Sequence, residues 1–101
     1  MRVKSEKSRD GAVLTLGING KFDFSLLNEF REAYSTDDAR RSKVIINFRE
    51  VTSIDSSALG MLLNMQRNLN KADCEIELIN CSQDVTKILQ IVRFDKKFTI
   101  G

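Results

Sequence analysis

The sequence has no histidine and only two cysteines among its 101 residues. Without histidine, the chain lacks the side chain most often used for proton transfer near neutral pH and for metal binding. The spacing of Cys74 and Cys81 matches neither a disulfide framework nor a zinc motif. The two cysteines flank a predicted strand, so we expect two reduced, partly buried thiols, with no metal and no cofactor.

Long apolar runs and phosphate-binding loops are also missing. No stretch approaches the roughly 20 apolar residues of a membrane-spanning helix. The charges at Arg2, Lys4 and Glu6 are not followed by the apolar core of a secretory signal. The sequence contains no glycine-rich P-loop, no GxSxG motif and no paired-carboxylate motif. These absences predict a cytoplasmic protein that does not insert into the membrane and is not an enzyme.

Charge is nearly balanced, with 16 basic against 14 acidic residues and a net charge of +2. Proteins that bind nucleic acid usually concentrate basic residues on one face. The one basic run, Arg40 and Arg41 with Lys43, is better interpreted as a solvated loop, so we expect no direct binding of nucleic acid. The 42% hydrophobic and 30% charged residues are typical of a folded protein, and the length predicts a single domain over residues 1–101.

The apolar pattern predicts an N-terminal hairpin. Residues 2–8 are polar with weak alternation, which is typical of an edge strand, and residues 12–18 form an apolar run that favours β-structure. The Asp10–Gly11 pair between them predicts a tight turn. Asn19–Gly20 predicts the end of the second strand.

Helical and extended segments then alternate along the chain. The spacing predicts a helix over 25–37 closed by a loop at 36–38, a strand over 43–48, a helix over 57–69 followed by a loop at 70–73, a strand over 75–79, and a helix after Ser82. Asp23 or Ser25 is expected to cap the first helix and Ser82 the third. The third helix has an apolar stripe at Val85, Ile88, Leu89 and Val92. The tail 93–101 is expected to pack against the core with a short extended end.

The resulting order, β-β-α-β-α-β-α, indicates an α/β fold. Parallel βαβ units require right-handed crossovers, whereas a tight hairpin must be antiparallel. We therefore predict a mixed four- to five-stranded sheet with an N-terminal antiparallel hairpin and about three main helices packed against it.

Asp55, Ser56 and Ser57 stand directly before the second predicted helix, whose apolar face begins at Leu59. Polar residues at this place satisfy unpaired backbone amides, and a good cap stabilises a helix by about 1 kcal/mol. A helix N-terminus also accommodates an anion, so a serine there can carry a phosphate in a favourable field. Spacing alone leaves both interpretations open, and they are compatible.

The segment 44–63 resembles the central signature of the STAS family, in which a hydrophobic strand and an Ile-Asp-Ser-Ser link lead into a helix. Residues 20–23 resemble the family's Gly-x-(Leu/Phe)-Asp motif after the second strand. Residues 77–80, followed by the apolar positions of 85–89, resemble its last strand and helix. Because three motifs lie in register over nearly the whole chain, the sequence resembles the bacterial anti-sigma factor antagonists (anti-anti-sigma factors) of the STAS domain family.

The resemblance implies a partner-switching mechanism. The unphosphorylated protein would bind an anti-sigma factor or serine-protein kinase of the histidine-kinase-like ATPase type and so release that protein's client. Phosphorylation of Ser56 would break the complex, and a PP2C-type phosphatase would reset it. Asp23, Asp55 and Ser57 would form the partner-binding surface around Ser56, with helix capping as the other interpretation of Asp23. Ala58, where many members have glycine, would lie near the phosphoacceptor and narrow the choice of partner.

Two further points stay open at this stage. Phe24, Leu26 and Met61 are either apolar contacts for a partner or core residues. The alternative function is that of a non-catalytic accessory STAS subunit of a membrane lipid or anion transport complex, in which Asp55, Ser56 and Ser57 serve for capping or contact.

Overall fold

The computed structural model describes residues 2–35, 42–70 and 74–101. The order of elements is the predicted one, with a fifth strand at the end. The elements are β1 Val3–Lys7, β2 Val13–Phe22, α1 Leu27–Tyr34, β3 Lys43–Ile54, α2 Ser56–Asn70, β4 Glu75–Ile79, α3 Gln83–Ile91 and β5 Thr99–Ile100, with short 3-10 turns at Phe24–Leu26 and Phe94–Lys96. The predicted loop at 36–38, most of the basic run at 40–43 and most of the loop at 70–73 lie outside the described residues.

The strands form one five-stranded sheet in the order β1-β2-β3-β4-β5. β1 pairs antiparallel with β2, and the other neighbouring strands pair parallel, which confirms the predicted mixed sheet. The hairpin turn uses Gly11, whose φ of 75° lies in the left-handed region. The Asp10 carboxylate accepts hydrogen bonds from the Ala12 amide and the Ser8 hydroxyl, so the turn is fixed by its own side chains.

The helices cover one face of the sheet. Every second residue is buried along β2 as far as Ile18 and along β3 as far as Phe48, and the residues between them stay partly exposed. The buried strand residues are Leu14, Leu16, Ile18, Val44, Ile46, Phe48, Ile76 and Leu78. At one end of this core, the ring of Phe22 lies 5.3 Å from that of Phe30 and 6.0 Å from that of Phe48, between centroids. The opposite face of the sheet carries mostly polar or small side chains, with the partly exposed Val13, Ile45 and Ile79 among them.

Both central strands are longer than predicted. β2 does not end at Asn19–Gly20 but continues to Phe22, because Gly20 adopts a φ of 88° at a register shift and the chain then resumes pairing. β3 continues from Phe48 to Ile54, paired with this extension. Because residues 49–53 are largely polar, a hydrophobicity pattern does not indicate a strand there. The strand conformation of this segment follows from its pairing with β2.

The first two helices also differ from their predicted bounds. The helix expected from Ser25 starts instead with the 3-10 turn, α1 begins at Leu27, and it ends at Tyr34, so its expected end at Asp37 was wrong. α2 begins at Ser56, one residue earlier than predicted, and includes Asn70.

The third helix follows its prediction only in part. Ser82 caps α3 by accepting a hydrogen bond from the Val85 amide at 3.2 Å, as predicted. Val85 and Leu89 are buried, but Ile88 and Val92 remain 36% and 39% exposed, so half of the expected stripe does not reach the core. The tail packs as expected: Phe94 and Phe98 are buried with ring centroids 5.3 Å apart, before β5.

Candidate functional site

The junction between β3 and α2 brings the predicted Asp-Ser-Ser segment to the surface. Asp55 is the residue that caps α2: its Oδ1 accepts a hydrogen bond from the Ala58 amide at 3.0 Å, and its carbonyl accepts one from the Leu59 amide at 3.3 Å. Ser56, the first helical residue, is exposed, and Ser57 is half-buried. The capping interpretation therefore holds for the aspartate, and the Ser56 side chain takes no part in the cap.

The Ser56 hydroxyl makes no hydrogen bond to any residue in the described ranges. It stands on the first turn of a 15-residue helix, where backbone amides without intrahelical partners and the positive end of the helix dipole favour an anion. A phosphate on this oxygen would lie in a favourable field without disturbing an existing side-chain contact. Ser56 is thus both accessible and electrostatically suited to modification.

Ala58 occupies a different environment from its neighbours. It is 0% exposed and belongs to the hydrophobic core, because it faces inward in the first turn of α2. This placement differs from the surface role predicted for it. Its methyl group fills core space beneath the turn, and only its backbone amide, held by Asp55, takes part in the local geometry.

Asp23 lies just beyond the end of β2. Its carboxylate accepts hydrogen bonds from the amide and the hydroxyl of Ser25, so it caps the 3-10 turn and not α1 itself. The Ser25 hydroxyl hydrogen bond, followed by the Ser25 amide and the charges of Arg2 and Lys21, holds the pKa of Asp23 below its usual value despite partial desolvation. The capping interpretation of Asp23 is therefore confirmed for this turn.

Arg2 is a member of this cluster that sequence reasoning missed. Its guanidinium donates to the Ser25 hydroxyl at 2.9 Å, to the Asn19 carbonyl at 3.2 Å and to the Lys21 carbonyl. It thereby ties the N-terminal segment to the end of β2. Its isolated position before β1 gave no signal for such a role.

The sheet brings Asp23 and Asp55 to the same edge. Phe22 and Ile54 are register partners in the parallel pair of β2 and β3, and each aspartate follows one of them directly. Adjacent strands lie about 4.8 Å apart, so the carboxyl ends of the two strands present both acids beside Ser56. The predicted residues Asp23, Asp55, Ser56 and Ser57 therefore share one surface.

A groove between α1 and α2 opens next to this surface. It has a volume of about 360 Å³ and is lined by Phe24, Leu27, Arg31, Tyr34, Ser57, Gly60, Met61 and Asn64. Phe24 is 65% exposed, whereas Leu26 and Met61 are 1% and 6% exposed and belong to the core. Gly60 keeps the groove open, since no atom lies within 4 Å of where its Cβ would stand. Of the three apolar candidates, only Phe24 is available to a partner.

Other kinds of site find little support in the described parts of the chain. Within those ranges, no group of three or more potential metal ligands comes together, and no helix is long and apolar enough to cross a membrane. Cys74 and Cys81 form no disulfide and are reduced thiols, the first buried and the second half-buried, as predicted. Burial raises the pKa of the Cys81 thiol to about 11, so it stays protonated and unreactive near neutral pH.

Several known proteins resemble this chain in sequence or in fold. A STAS-domain-containing protein of Pseudomonas aeruginosa (strain UCBPP-PA14) is 39% identical over 101 residues, covering 100% of both chains. The anti-sigma factor antagonist SpoIIAA in its unphosphorylated form is 21% identical with a TM-score of 0.77, covering 98% of this chain and 86% of its own. Phosphorylated SpoIIAA of Bacillus is 22% identical with a TM-score of 0.75, covering 98% and 90%.

A sulfate transporter family protein from Wolinella succinogenes has the same fold, with 21% identity, a TM-score of 0.76 and coverage of 84% of this chain and 70% of its own. The family model of the STAS domain matches residues 4–101. Since this match spans nearly the whole sequence, the chain belongs to the STAS domain family.

Proposed function

We propose that this protein is a phosphorylation-controlled partner-switching regulator of the anti-sigma factor antagonist type. Its unphosphorylated form binds an anti-sigma factor or serine-protein kinase of the histidine-kinase-like ATPase type and releases that protein's client. Phosphorylation of Ser56 breaks the complex, and a PP2C-type phosphatase restores it. The observation that carries the proposal is the exposed Ser56 hydroxyl at the start of α2, which makes no hydrogen bond within the described residues.

The partner-binding surface in this proposal combines the acidic edge with the groove. Phe24, 65% exposed, supplies the largest accessible apolar side chain beside Ser57 and Gly60. Buried aromatic anchors dominate the energy of many interfaces, and a groove beside the anchor admits an apolar side chain of the partner. Arg31 at the groove wall offers a charge to an acidic group of that partner.

The switch acts through charge. A phosphate on Ser56 adds nearly two negative charges to a surface that already carries Asp23 and Asp55. In the complex this charge is desolvated and repelled by these acids and by acidic groups of the partner. A loss of about 2–3 kcal/mol weakens affinity on the order of a hundredfold, which is sufficient for an exchange of partners.

Affinity capture from the native cells tests this proposal. Tagged wild type, Ser56→Ala, Ser56→Glu and Phe24→Ser are compared, with Ser5→Glu as a control that adds the same charge at an exposed position on β1, far from the junction. We expect Ser56→Ala to retain a kinase-type partner, and Ser56→Glu and Phe24→Ser to lose it. Mass spectrometry should find phosphate on Ser56 of the wild type. Equal capture by Ser56→Ala and Ser56→Glu would contradict the switch.

The same experiment separates the alternative function of an accessory transporter subunit. The likeness to a sulfate transporter family protein shows that the fold also occurs in such a protein. Capture of a permease or transport ATPase by all Ser56 variants alike, with no phosphate on Ser56, would support that function instead.

A further inference from the structure

The face of the sheet opposite the helices contains a cleft that the proposed function does not use. It has a volume of about 250 Å³, lies over β2 between β1 and β3, and is lined mainly by Lys4, Glu6, Thr15, Gly17, Asn19, Asn47, Arg49 and Glu50. Most of these residues alternate with the core residues of the same strands, so their side chains stand on the uncovered face. Arg49 and Glu50 are consecutive, and the register shift between Gly17 and Asn19 lets both line the cleft. The cleft is therefore separate from the Ser56 surface at the sheet edge.

Gly17 forms the floor of this cleft. In the strand register it lies directly between Lys4 and Asn47, so its missing side chain leaves a gap in that cross-strand row. A glycine inside a strand weakens it by roughly 0.5–1 kcal/mol relative to alanine. Gly17 does not adopt a positive φ, and nothing lies within 4 Å of where its Cβ would stand. Neither backbone strain nor packing requires glycine here; what it provides is open space.

Asn47 is held in place beside this gap. Its side-chain oxygen accepts hydrogen bonds from the Arg49 amide and from the Asn80 side chain, both at 3.0 Å. Its own NH₂ group donates to none of the residues that the structure describes. The result is an oriented amide donor on the β3 wall of the cleft, which Arg49 also lines.

Both walls of the cleft carry one basic and one acidic residue. β1 contributes Lys4 and Glu6, and β3 contributes Arg49 and Glu50. Across the described ranges, none of these four makes an ion pair within 4 Å, although Lys43 and Glu77 on the same face pair at 3.1 Å. The walls are two strand spacings apart, about 10 Å between Cα atoms, and a small molecule lying over Gly17 can join them.

We propose that this cleft binds a small dipolar molecule with a carboxylate at one end and an ammonium group at the other. The carboxylate is held at the β3 wall by the Arg49 guanidinium and the Asn47 NH₂ group, which together match its two oxygens. The ammonium group is held at the β1 wall by Glu6, which pairs with Thr15 two residues along from the Lys4–Gly17 row, so the molecule crosses the cleft obliquely from Arg49. The methylene chain between them lies over Gly17, where any side chain would displace it.

A titration followed by ¹⁵N NMR tests the proposal with defined probes. 4-Aminobutanoate and 6-aminohexanoate carry both charges at different separations, and butanoate and butylammonium each carry one. We expect at least one of the two dipolar probes to shift the amide signals of Gly17 and Asn47 and the Asn47 side-chain signal saturably. The single-charge probes should bind about tenfold more weakly or not at all. No saturable shift with either dipolar probe would overturn the proposal, as would equal binding of butanoate.

Substitutions inside and outside the cleft test whether the dipolar probe binds there. Gly17→Val and Arg49→Gln should each weaken binding of the dipolar probe by about tenfold or more. Lys43→Gln, which removes a charge from the same face outside the cleft, should leave it unchanged. Gly17→Val introduces a strand-favouring residue into open space, so its melting temperature should not fall. A folded Gly17→Val protein that binds the probe as wild type does would refute the role of the cleft. Ser56→Ala should bind the probe normally, which keeps this test independent of the partner switch.

Discussion

At the β3–α2 junction, Asp55 caps the helix and the neighbouring Ser56 keeps its hydroxyl exposed. Asp55 supplies the capping oxygen, whereas the Ser56 hydroxyl makes no hydrogen bond within the described residues. A three-residue polar segment before a helix is compatible with any of its members as the cap. Only the geometry assigns the structural task to the aspartate, and this assignment leaves the serine available for modification.

Replacement of Asp55 tests that division. Asp55→Ala removes the oxygen that accepts from the Ala58 amide and should lower the free energy of unfolding by about 1 kcal/mol. Asp55→Asn retains an acceptor oxygen and should lower the free energy of unfolding much less. Urea denaturation of the two variants measures the difference. An equal loss in both would show that the carboxylate charge, and not the hydrogen bond, stabilises the junction.

Asp23 gives a prediction in the acid range. Its pKa is lowered from 3.8 in the folded protein, chiefly by the Ser25 hydroxyl hydrogen bond, so the folded state binds a proton there less readily than the unfolded state. The stabilisation is fully present above the unfolded value and disappears as the pH falls through the lower folded value. Asp23→Asn should therefore cost stability near neutral pH and cost less well below pH 3.8. Denaturation curves at several pH values measure this; a constant difference would contradict it.

At the scale of elements, the two glycines of β2 have opposite physical reasons for being there. Gly20 has a φ of 88° at the register shift that lets β2 continue to Phe22. Gly17 lies in ordinary extended backbone with free space above it. The backbone conformation requires glycine at position 20 but not at position 17.

This contrast yields a matched pair of variants. Gly20→Ala should destabilise the protein by about 1–2 kcal/mol, because a left-handed conformation is costly for an L-residue. Its Cβ would approach only the Arg2 side chain, at 3.8 Å, so packing adds little to that cost. Gly17→Ala should be neutral or stabilising. Thermal unfolding of both variants shows which one is less stable. A larger loss of stability for Gly17→Ala than for Gly20→Ala would contradict these roles of the two glycines.

The sequence predicted which elements exist better than where they end. Hydrophobic alternation and spacing give the order of strands and helices because each element buries one side. The second half of β3 could not be predicted that way, since its residues 49–53 are largely polar and their pairing depends on the irregular end of β2. The exposure of Phe24 was hidden for a similar reason: a 3-10 turn changes the phase in which Phe24 and Leu26 face the core.

At the scale of the whole molecule, the sheet separates two surfaces. The carboxyl edge carries Ser56 with the two aspartates, and the uncovered face carries the cleft over Gly17. The site residues could be predicted from motifs because they follow strand ends in sequence. The cleft could not, because its walls come from β1 and β3 and only the register places Lys4, Gly17 and Asn47 in one row.

If phosphorylation of Ser56 releases the partner by surface charge alone, a negative charge at this position must leave the fold intact. Ser56→Glu places a negative charge at the first position of α2, where the helix dipole favours it by about 0.3–1 kcal/mol. Ser56→Gln has nearly the same size without the charge and serves as the control. We expect Ser56→Glu and Ser56→Gln to unfold at similar denaturant concentrations, because repulsion by Asp23 and Asp55 opposes the gain from the helix dipole, and the slope of the transition should be unchanged.

The comparison of stability with binding then distinguishes two mechanisms of release. Loss of the partner by Ser56→Glu but not by Ser56→Gln, with both proteins fully folded, is what a charged surface requires. A lower stability or a smaller slope for Ser56→Glu would mean that the charge opens the β3–α2 junction, so that the partner is lost through local unfolding. The exposed position of Ser56 and the cap held by Asp55 favour the first outcome, because added charge on that hydroxyl breaks no contact that holds α2 in place.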